Sequence, residues 1–377
     1  MAFMSDGSKQ GGPGHGDRPN RRVGSLIMFV RAAWEIAGSF FRVLSIAVLV
    51  MSLFGTMMLD GYGERHWLLG IFLYVPPLLW VLPVCSLLPF ALVFCFRTGL
   101  LLLAFCVGYL FLFADYRMGG GAQQGEDDLT VTLLSNNVGN NARTTVDEFA
   151  ALHRPDIFLF QEAQSARYYR KRYPDLERHH EGEFTVVTRF PILEAGALDQ
   201  PRWGGVPIAA RYVIQVAPGR RLVVYNVHFP TRRFLITGID DWASVEAILG
   251  STQGYARQVR AQNRDFFMEQ IRMAEDLIER SRQETDPVVL MGDFNVPAQG
   301  YVYRQLRNAW TDGFAAVGEG FGYTCPGKTR NPLALFQPWL RIDHAFMSQK
   351  VRPLKVEVEP ALRVAEHRAI VMTCAIP

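Results

Sequence analysis

"VVLMGDFNVPAQG", Val288 to Gly300, passes from unbroken hydrocarbon to paired polar residues within a few steps of chain. Val288 to Met291 is apolar without alternation, the pattern of a strand covered on both faces. At its end stand Asp293 and Asn295 with only Phe294 between them. A carboxylate at the mouth of a buried strand is costly unless something pairs with it. Two readings stand: a turn, because Gly, Asp and Asn supply tight backbone conformations and local hydrogen bonds, or one corner of a site whose other members lie elsewhere in the chain.

Working outward, the chain from Leu129 alternates strand-length runs rich in β-branched and aromatic residues. "LTVTLLSNNV", "DIFLFQEA", "TVVTRF", "ARYVIQVA", "RLVVYNVHF", "RIDHAFMS", "LKVEVEPA" and "HRAIVMTCAI" join "PVVLMGDFN". Between the first two, "TTVDEFAALHRP" has Thr145 followed three residues later by Glu148, a capping-box helix start, with Phe149 and Leu152 on one face. From Gln258 to Arg282, Phe267, Ile271, Ala274 and Ile278 recur at helical spacing, a stripe that reads as core. Many strands with few crossover helices predict an α/β fold of two packed sheets covered by helices, a two-sheet α/β sandwich. Polar residues stand at the ends of the apolar runs: Asn137, Glu162, His228, Asp293, Asn295, Asp343, Glu366 and His367. Each alone reads as a solvated strand end. Together they point to a site, because sheets gather the same ends of neighbouring strands and ligands bind there.

In this order the motifs resemble the endonuclease/exonuclease/phosphatase superfamily, the DNase I-like fold shared by DNase I, abasic-site endonucleases, type C sphingomyelinases and inositol polyphosphate phosphatases. "LLSNNV" resembles the first strand ending in the metal-site Asn, here Asn137, and "PDIFLFQEA" is similar to the family's P-D-I-x-x-x-Q-E, with Glu162 as metal-binding carboxylate. "VVYNVHF" resembles the N-x-H strand with Asn226 and His228; "MGDFN" supplies Asp293 and Asn295; "RIDHAF" supplies Asp343. "AEHRAIV" stands where the family has S-D-H-x-P-V, with Ala365 for Ser, Glu366 for Asp and Ala369 for Pro. The resemblance covers Leu129 to Pro377 and implies a metal-dependent phosphoric ester hydrolase using Mg²⁺, or Mn²⁺ as the alternative. Glu162, Asn137 and Glu366 are the implied metal residues. Asp293 is implied to orient or deprotonate water, Asn295 to hold that water or a phosphate oxygen, and His367, paired with Asp343, to stabilise phosphoryl charge. His228 is implied to donate to the leaving oxygen or to the scissile phosphate.

The first third has another texture. Residues 1–24 are rich in Gly, Pro and Ser and lack apolar periodicity, so a disordered tail is expected. Uncharged stretches run from Val43 to Leu59, from Trp67 to Phe96 and from Thr98 to Ala114. Since a bilayer-spanning helix needs about 20 apolar residues, residues 25–116 predict a bundle of about three transmembrane helices. Pro76, Pro77, Pro83 and Pro89 interrupt the middle stretch. Arg21, Arg22, Arg31 and Arg42 precede the first span, so the N-terminus is expected in the cytoplasm. Three crossings then carry the domain after the Gly-rich, acidic linker 117–128 to the extracytoplasmic side of the inner membrane. Cys325 and Cys374 allow either a disulfide or two free thiols.

Net charge of +3 gives no nucleic-acid stripe. The expected partners are the lipid bilayer and a phosphoester substrate, a lipid or envelope head group, with nothing pointing to an obligate protein partner. An extracytoplasmic nuclease is the alternative, for which Arg167, Arg170, Lys171 and Arg172, interleaved with Tyr168, Tyr169 and Tyr173, offer phosphate and base contacts. The same patch also reads as a solvated helix face or a lipid contact. A non-catalytic membrane-anchored binding protein is the further alternative. "FPTRRFLITGIDDWASVEAILG", following His228, has exposed-looking Phe234, Leu235, Ile236 and Trp242, and reads either as a loop overhanging the site or as a peripheral one.

Overall fold

The computed structural model describes residues 18–121, 125, 128–139, 146–163, 165–232, 234–237, 242–250, 254–327, 338–360 and 366–376. The tail before Arg18, the linker residues 122–124, 126 and 127, the cap residue Thr145 and Ala365 lie outside them, as do the side chains of Ile236 and Trp242. The chain divides into two compact units: Met1–Met51 with Pro83–Phe105, and Ser52–Leu82 with Cys106–Pro377.

Four helices carry the apolar third: α1 (Arg18–Gly61), α2 (Trp67–Phe72), α3 (Leu82–Phe94) and α4 (Phe96–Leu112). Of the described helices, α1 alone is long and apolar enough to cross a membrane; α3 and α4 are shorter, at 13 and 17 residues. The middle span expected from Trp67 to Phe96, with its prolines, is not one helix but is split between α2 and α3. Proline cannot donate to the helical ladder and drives the preceding residue out of it, and the chain leaves α2 to form a 3₁₀ turn at Pro77–Trp80 before α3 begins. Within the first unit, Phe41 stacks on Phe90 and Phe94 at 5.1 and 5.2 Å between ring centroids. Gly38 lies where a Cβ would meet the Phe94 carbonyl at 2.9 Å, so only glycine permits that approach.

The second unit holds two six-stranded sheets. Their strands, in chain order, are β1 (Leu129–Asn137), β2 (Ile157–Gln161), β3 (Glu177–Glu181), β4 (Phe184–Thr188), β5 (Ile192–Ala197) and β6 (Ala209–Ala217), followed by β7 (Arg220–His228), β8 (Val288–Asp293), β9 (Thr311–Asp312), β10 (Asp343–Met347), β11 (Arg352–Val358) and β12 (Ile370–Ile376). One sheet runs β11-β12-β1-β2-β4-β3, the other β9-β10-β8-β7-β6-β5. All nine runs read from the sequence are strands. Three of the four edge strands, β3, β5 and the two-residue β9, carry no such run; β3 and β5 face solvent and are largely polar or exposed. Val131, Leu133, Leu159, Val186, Tyr212, Val224, Val289, Met291 and Met372 fill the space between the sheets. Cys374 is part of that core and Cys325 is also buried; both are free thiols, the second of the two cysteine readings.

Helices cover the outer faces: α5 (Asp147–His153), α6 (Ala166–Arg172), α7 (Gly254–Arg282) and α8 (Tyr301–Ala309). Phe267, Ile271, Ala274 and Ile278 of α7 are buried, as their spacing predicts. On α5, Phe149 is buried but Leu152 is 75% exposed, so the expected two-residue face reduces to Phe149. The α6 patch also differs from an open stacking platform. Tyr169 is buried against Phe160, with ring centroids 4.7 Å apart, Tyr173 lies against Phe158, and Arg172 pairs with Asp147 at 2.8 Å. After His228, Leu235 is buried and Phe234 is half-buried, which favours a packed loop there. The linker is also tied down at its start: Arg117 and Met118 pair with Gly320 and Glu319.

Candidate active site

Sheet register assembles the site. β7 and β8 are parallel with His228 opposite Asp293, and β8 and β10 are antiparallel with Asp293 opposite Asp343, so three functional side chains share one row across three strands. In the facing sheet, parallel β1 and β2 end together with Asn137 opposite Gln161, and Glu162 follows in a left-handed backbone conformation, φ +51°. Between the sheets, buried Asn226 accepts from Gln161 Nε2 at 2.6 Å and donates to the Phe160 carbonyl, a polar strut beneath the site.

The Gly-Asp-Phe-Asn turn answers to close packing. A Cβ on Gly292 would lie 2.1 Å from the Val227 carbonyl oxygen, so β7 and β8 approach there only because glycine has no side chain. Phe294 turns back into the core and is wholly buried, a burial of about 2–3 kcal/mol. Asn295 then adopts φ +48°, an uncommon non-glycine conformation, and its side chain returns to the site.

Asp293 is the hub. Its Oδ2 accepts from Asn137 Nδ2 at 2.9 Å and Asn295 Nδ2 at 3.1 Å, and its Oδ1 accepts from the Asn295 amide at 2.9 Å. Both imidazoles face the same oxygen, His367 Nε2 at 3.6 Å and His228 Nε2 at 3.8 Å. Asn137 Nδ2 also donates to Glu162 Oε1 at 3.1 Å, while its Oδ1 accepts from the Gly139 amide. His367 Nδ1 lies 3.0 Å from Asp343 Oδ2. Seven of the eight residues predicted from the sequence therefore meet in one cleft. Glu366 stands at its rim: the side chain is exposed, and its Oε2 would lie 4.0 Å from a Cβ built on Gly139.

Charge and burial divide the protons. Burial alone would pull His367 down, but the Asp343 and Asp293 carboxylates outweigh it and raise its pKa to about 10. Burial is the largest influence on Asp293 and pushes it up to about 6, with His367 pulling the other way. For His228, burial again acts downward and is overcome by the hydrogen bond to Glu183 and the charge of Asp293, so its pKa is raised. Glu183, whose Oε1 is 3.0 Å from His228 Nδ1, is a site residue absent from the sequence prediction. It stands in the polar hairpin "HHEGEF", with no apolar run to flag it.

The donor set suits a hard cation. Ligand atoms of Asp293, Asp343 and His367 lie within 4.8 Å of one another, and Glu162 adds a further carboxylate at the cleft mouth. Asp343 Oδ1 and Asn295 Oδ1 are buried with no hydrogen-bond partner among the described residues, acceptors of the kind a cation or its waters satisfy. His367 is the weak member of that group, since its Nδ1 is engaged by Asp343 and its proton is firmly held.

A two-sheet sandwich with clustered carboxylates, amides and two imidazoles at one end of its strands has the DNase I-like architecture. The chain belongs to the Endonuclease/Exonuclease/phosphatase family, whose sequence profile matches residues 134–367. Members of that family are hydrolases, nucleases and phosphatases among them. The fold is similar to an endonuclease/exonuclease/phosphatase from Bacteroides vulgatus (15% identity, 66% of this chain and 100% of that one, TM-score 0.46). It is also similar to an AP endonuclease from Archaeoglobus fulgidus (13%, 64% and 98%, TM-score 0.44) and a mannosyl-6-phosphatase from Bacteroides thetaiotaomicron (16%, 65% and 99%, TM-score 0.40). Among curated proteins, no sequence match is found.

Proposed function

We propose that the protein is a membrane-anchored phosphoesterase, dependent on Mg²⁺ or Mn²⁺, whose catalytic domain lies on the extracytoplasmic side of the inner membrane and hydrolyses phosphodiester or phosphomonoester bonds of lipid or envelope head groups. The observation that carries the hydrolytic part is Asp293 between two imidazoles, with Glu162 and Asn137 beside it.

A divalent cation, when bound, supplies positive charge to offset the phosphate's own oxygens. Glu162 is the residue to hold it directly, with waters and substrate completing the shell. Asn137 ties the Glu162 and Asp293 carboxylates together through one amide nitrogen, and Glu366, one methylene longer than the usual Asp, closes the rim. Asp293, with its raised pKa, accepts a proton from the attacking water at Oδ2, and Asn295 orients that oxygen. His367 keeps its charge through Asp343 and offsets the negative charge that grows on the phosphoryl group. His228, oriented by Glu183, presents Nε2 to the leaving oxygen.

The anchor reading rests on the surface and the two ends of α1. Apolar residues such as Phe29, Ile36, Val43, Met51 and Phe54 are largely exposed along α1, a surface suited to lipid. Cleavage of α1 as a signal is disfavoured because its C-terminal end is built into the second unit: Arg304 Nη2 donates to the Gly61 carbonyl at 2.8 Å. Arg18, Arg21, Arg22 and Arg31, in the first turns of α1, favour a cytoplasmic N-terminus. The burial of Tyr169 weakens the nuclease alternative by removing a stacking ring.

Purified full-length protein in detergent should hydrolyse a bis-aryl phosphodiester with Mg²⁺ and stop with EDTA. His367→Ala should lower kcat by at least about 100-fold. Incubation with mixed phospholipids and with DNA then separates substrates by product: phosphorylated head groups, free phosphate or oligonucleotides. A wild type inert toward all of these would leave the binding-protein alternative.

A further inference from the structure

The loop that carries Asp293 and Asn295 is held from outside the family's own sequence. Asn295, with its left-handed backbone, turns its carbonyl inward. Two donors meet that oxygen: the Tyr74 hydroxyl at 2.6 Å and Gln270 Nε2 at 3.1 Å. Tyr74 is itself fixed, since its carbonyl accepts from Trp339 Nε1 at 3.0 Å, four residues before Asp343. One buried residue between α2 and α3 thus bonds both the residue two positions after Asp293 and the stretch leading to Asp343. Further along the same loop, Gln299 Nε2 donates to the Phe113 carbonyl at 2.9 Å, and Glu64 Oε2 accepts the Tyr301 and Val302 amides at 2.7 and 3.2 Å. Residues 64, 74 and 113 all precede the matched segment 134–367.

We infer that Tyr74 is a positioning residue for the hydrolysis, acting through Asn295 on Asp293. The inference rests on the proposed activity. The physical path is short. The Tyr74 hydroxyl fixes the Asn295 carbonyl, which sets the peptide plane and the direction of the side chain. Asn295 Nδ2 then binds both the Phe229 carbonyl at 2.7 Å and Asp293 Oδ2 at 3.1 Å. Without the hydroxyl, Gln270 alone must hold the carbonyl, and the Asn295 amide can drift from Asp293 by the fraction of an ångström that degrades a reactive geometry. A Tyr74 that merely fills space would be replaced by phenylalanine without consequence.

The test is Tyr74→Phe in the full-length protein, assayed with Mg²⁺ and a bis-aryl phosphodiester. We expect kcat to fall about ten-fold, the cost of one well-placed hydrogen bond, with KM within about two-fold. The thermal midpoint should stay within about 2 °C. In an Asn295→Ala background the same change should cost less than about two-fold, because the residue it acts through is gone. Trp339→Phe, which frees the other end of Tyr74, should move kcat in the same direction. Wild-type kcat in Tyr74→Phe, or an equal loss in both backgrounds, overturns the inference; so does a loss that tracks a fall in thermal midpoint. A wild type inert toward every phosphoester sinks the hydrolase reading instead. In that event, hydrogen exchange across residues 294–299 decides, with faster exchange in Tyr74→Phe expected and unchanged exchange overturning it.

Discussion

The Glu183 carboxylate, 3.0 Å from His228 Nδ1, governs the proton that His228 has to give. Burial favours the neutral ring, and the negative charges of Glu183 and Asp293 outweigh it. A donor must be protonated, so activity is lost as pH rises through the pKa of His228. Glu183→Gln keeps an oxygen to accept from Nδ1–H but removes the charge, which lowers that pKa. The alkaline limb of kcat/KM should therefore move to lower pH, with a loss on the alkaline side that is recovered as pH falls. An unshifted limb with uniformly reduced activity would mean that Glu183 only orients the ring. The other site residues differ in how they announce themselves. Asn137, Glu162, His228, Asp293 and Asp343 each border an apolar run, so burial and polarity change within one or two residues and the boundary is legible. Glu183 sits in a polar turn between an edge strand and β4, where one more carboxylate looks like solvation.

At the scale of elements, the 3₁₀ turn Gly63–Arg65 presents Glu64 to the N-terminus of α8. Helix starts leave amides unpaired, and an oxygen acceptor placed there satisfies them. The carboxyl is buried, its Oε1 has no partner among the described residues, and burial pushes its pKa up to about 7. The folded pKa is raised above the ordinary 4.5, so the neutral form is favoured by folding. Stability from this group is fully present below about pH 4.5 and is lost as pH rises through about 7, a change of about 3 kcal/mol. Glu64→Gln, which mimics the neutral carboxyl, should flatten the fall in thermal midpoint over that window. A midpoint that falls as steeply in Glu64→Gln as in the wild type would assign the dependence to other groups. This element was not legible in the sequence. "WLLGIFLY" and the prolines after it read as part of a bilayer span, since hydropathy counts apolar residues without distinguishing lipid from protein as their surroundings. The strands were legible because two-sided burial leaves a run that hydropathy and β-propensity both detect.

For the whole molecule, the family match and the folding unit have different borders. The match begins at residue 134, yet the second compact unit also takes in Ser52–Leu82 and the chain from Cys106. Arg341 lies almost wholly buried with Asp115 on one side, at 3.1 Å from Nε, and Asp312 on the other, at 2.9 Å from Nη1. Asp115 stands just before the linker, so a fragment beginning at Leu129 leaves that guanidinium one carboxylate short inside the protein. Breaking a buried pair in this way costs about 3–5 kcal/mol, and the fragment loses the Glu64 cap and the Tyr74 bond as well. Against a domain stability of about 5–15 kcal/mol, such losses leave little. The fragment 129–377 should therefore be expressed as an aggregating or dye-binding species with a broad thermal transition, whereas the full chain in detergent melts cooperatively. Asp115→Asn in the full chain isolates one component and should lower the midpoint on its own. A soluble fragment that melts as sharply and as high as the full chain would refute the shared border. If the border is shared, proteolysis between α4 and β1 cannot release an active soluble enzyme, because the cut separates Asp293 and its loop from Tyr74, Phe113 and Glu64, the residues that hold it in place. Activity would then require residues 52–82, the chain from Cys106 and the catalytic sheets in one chain.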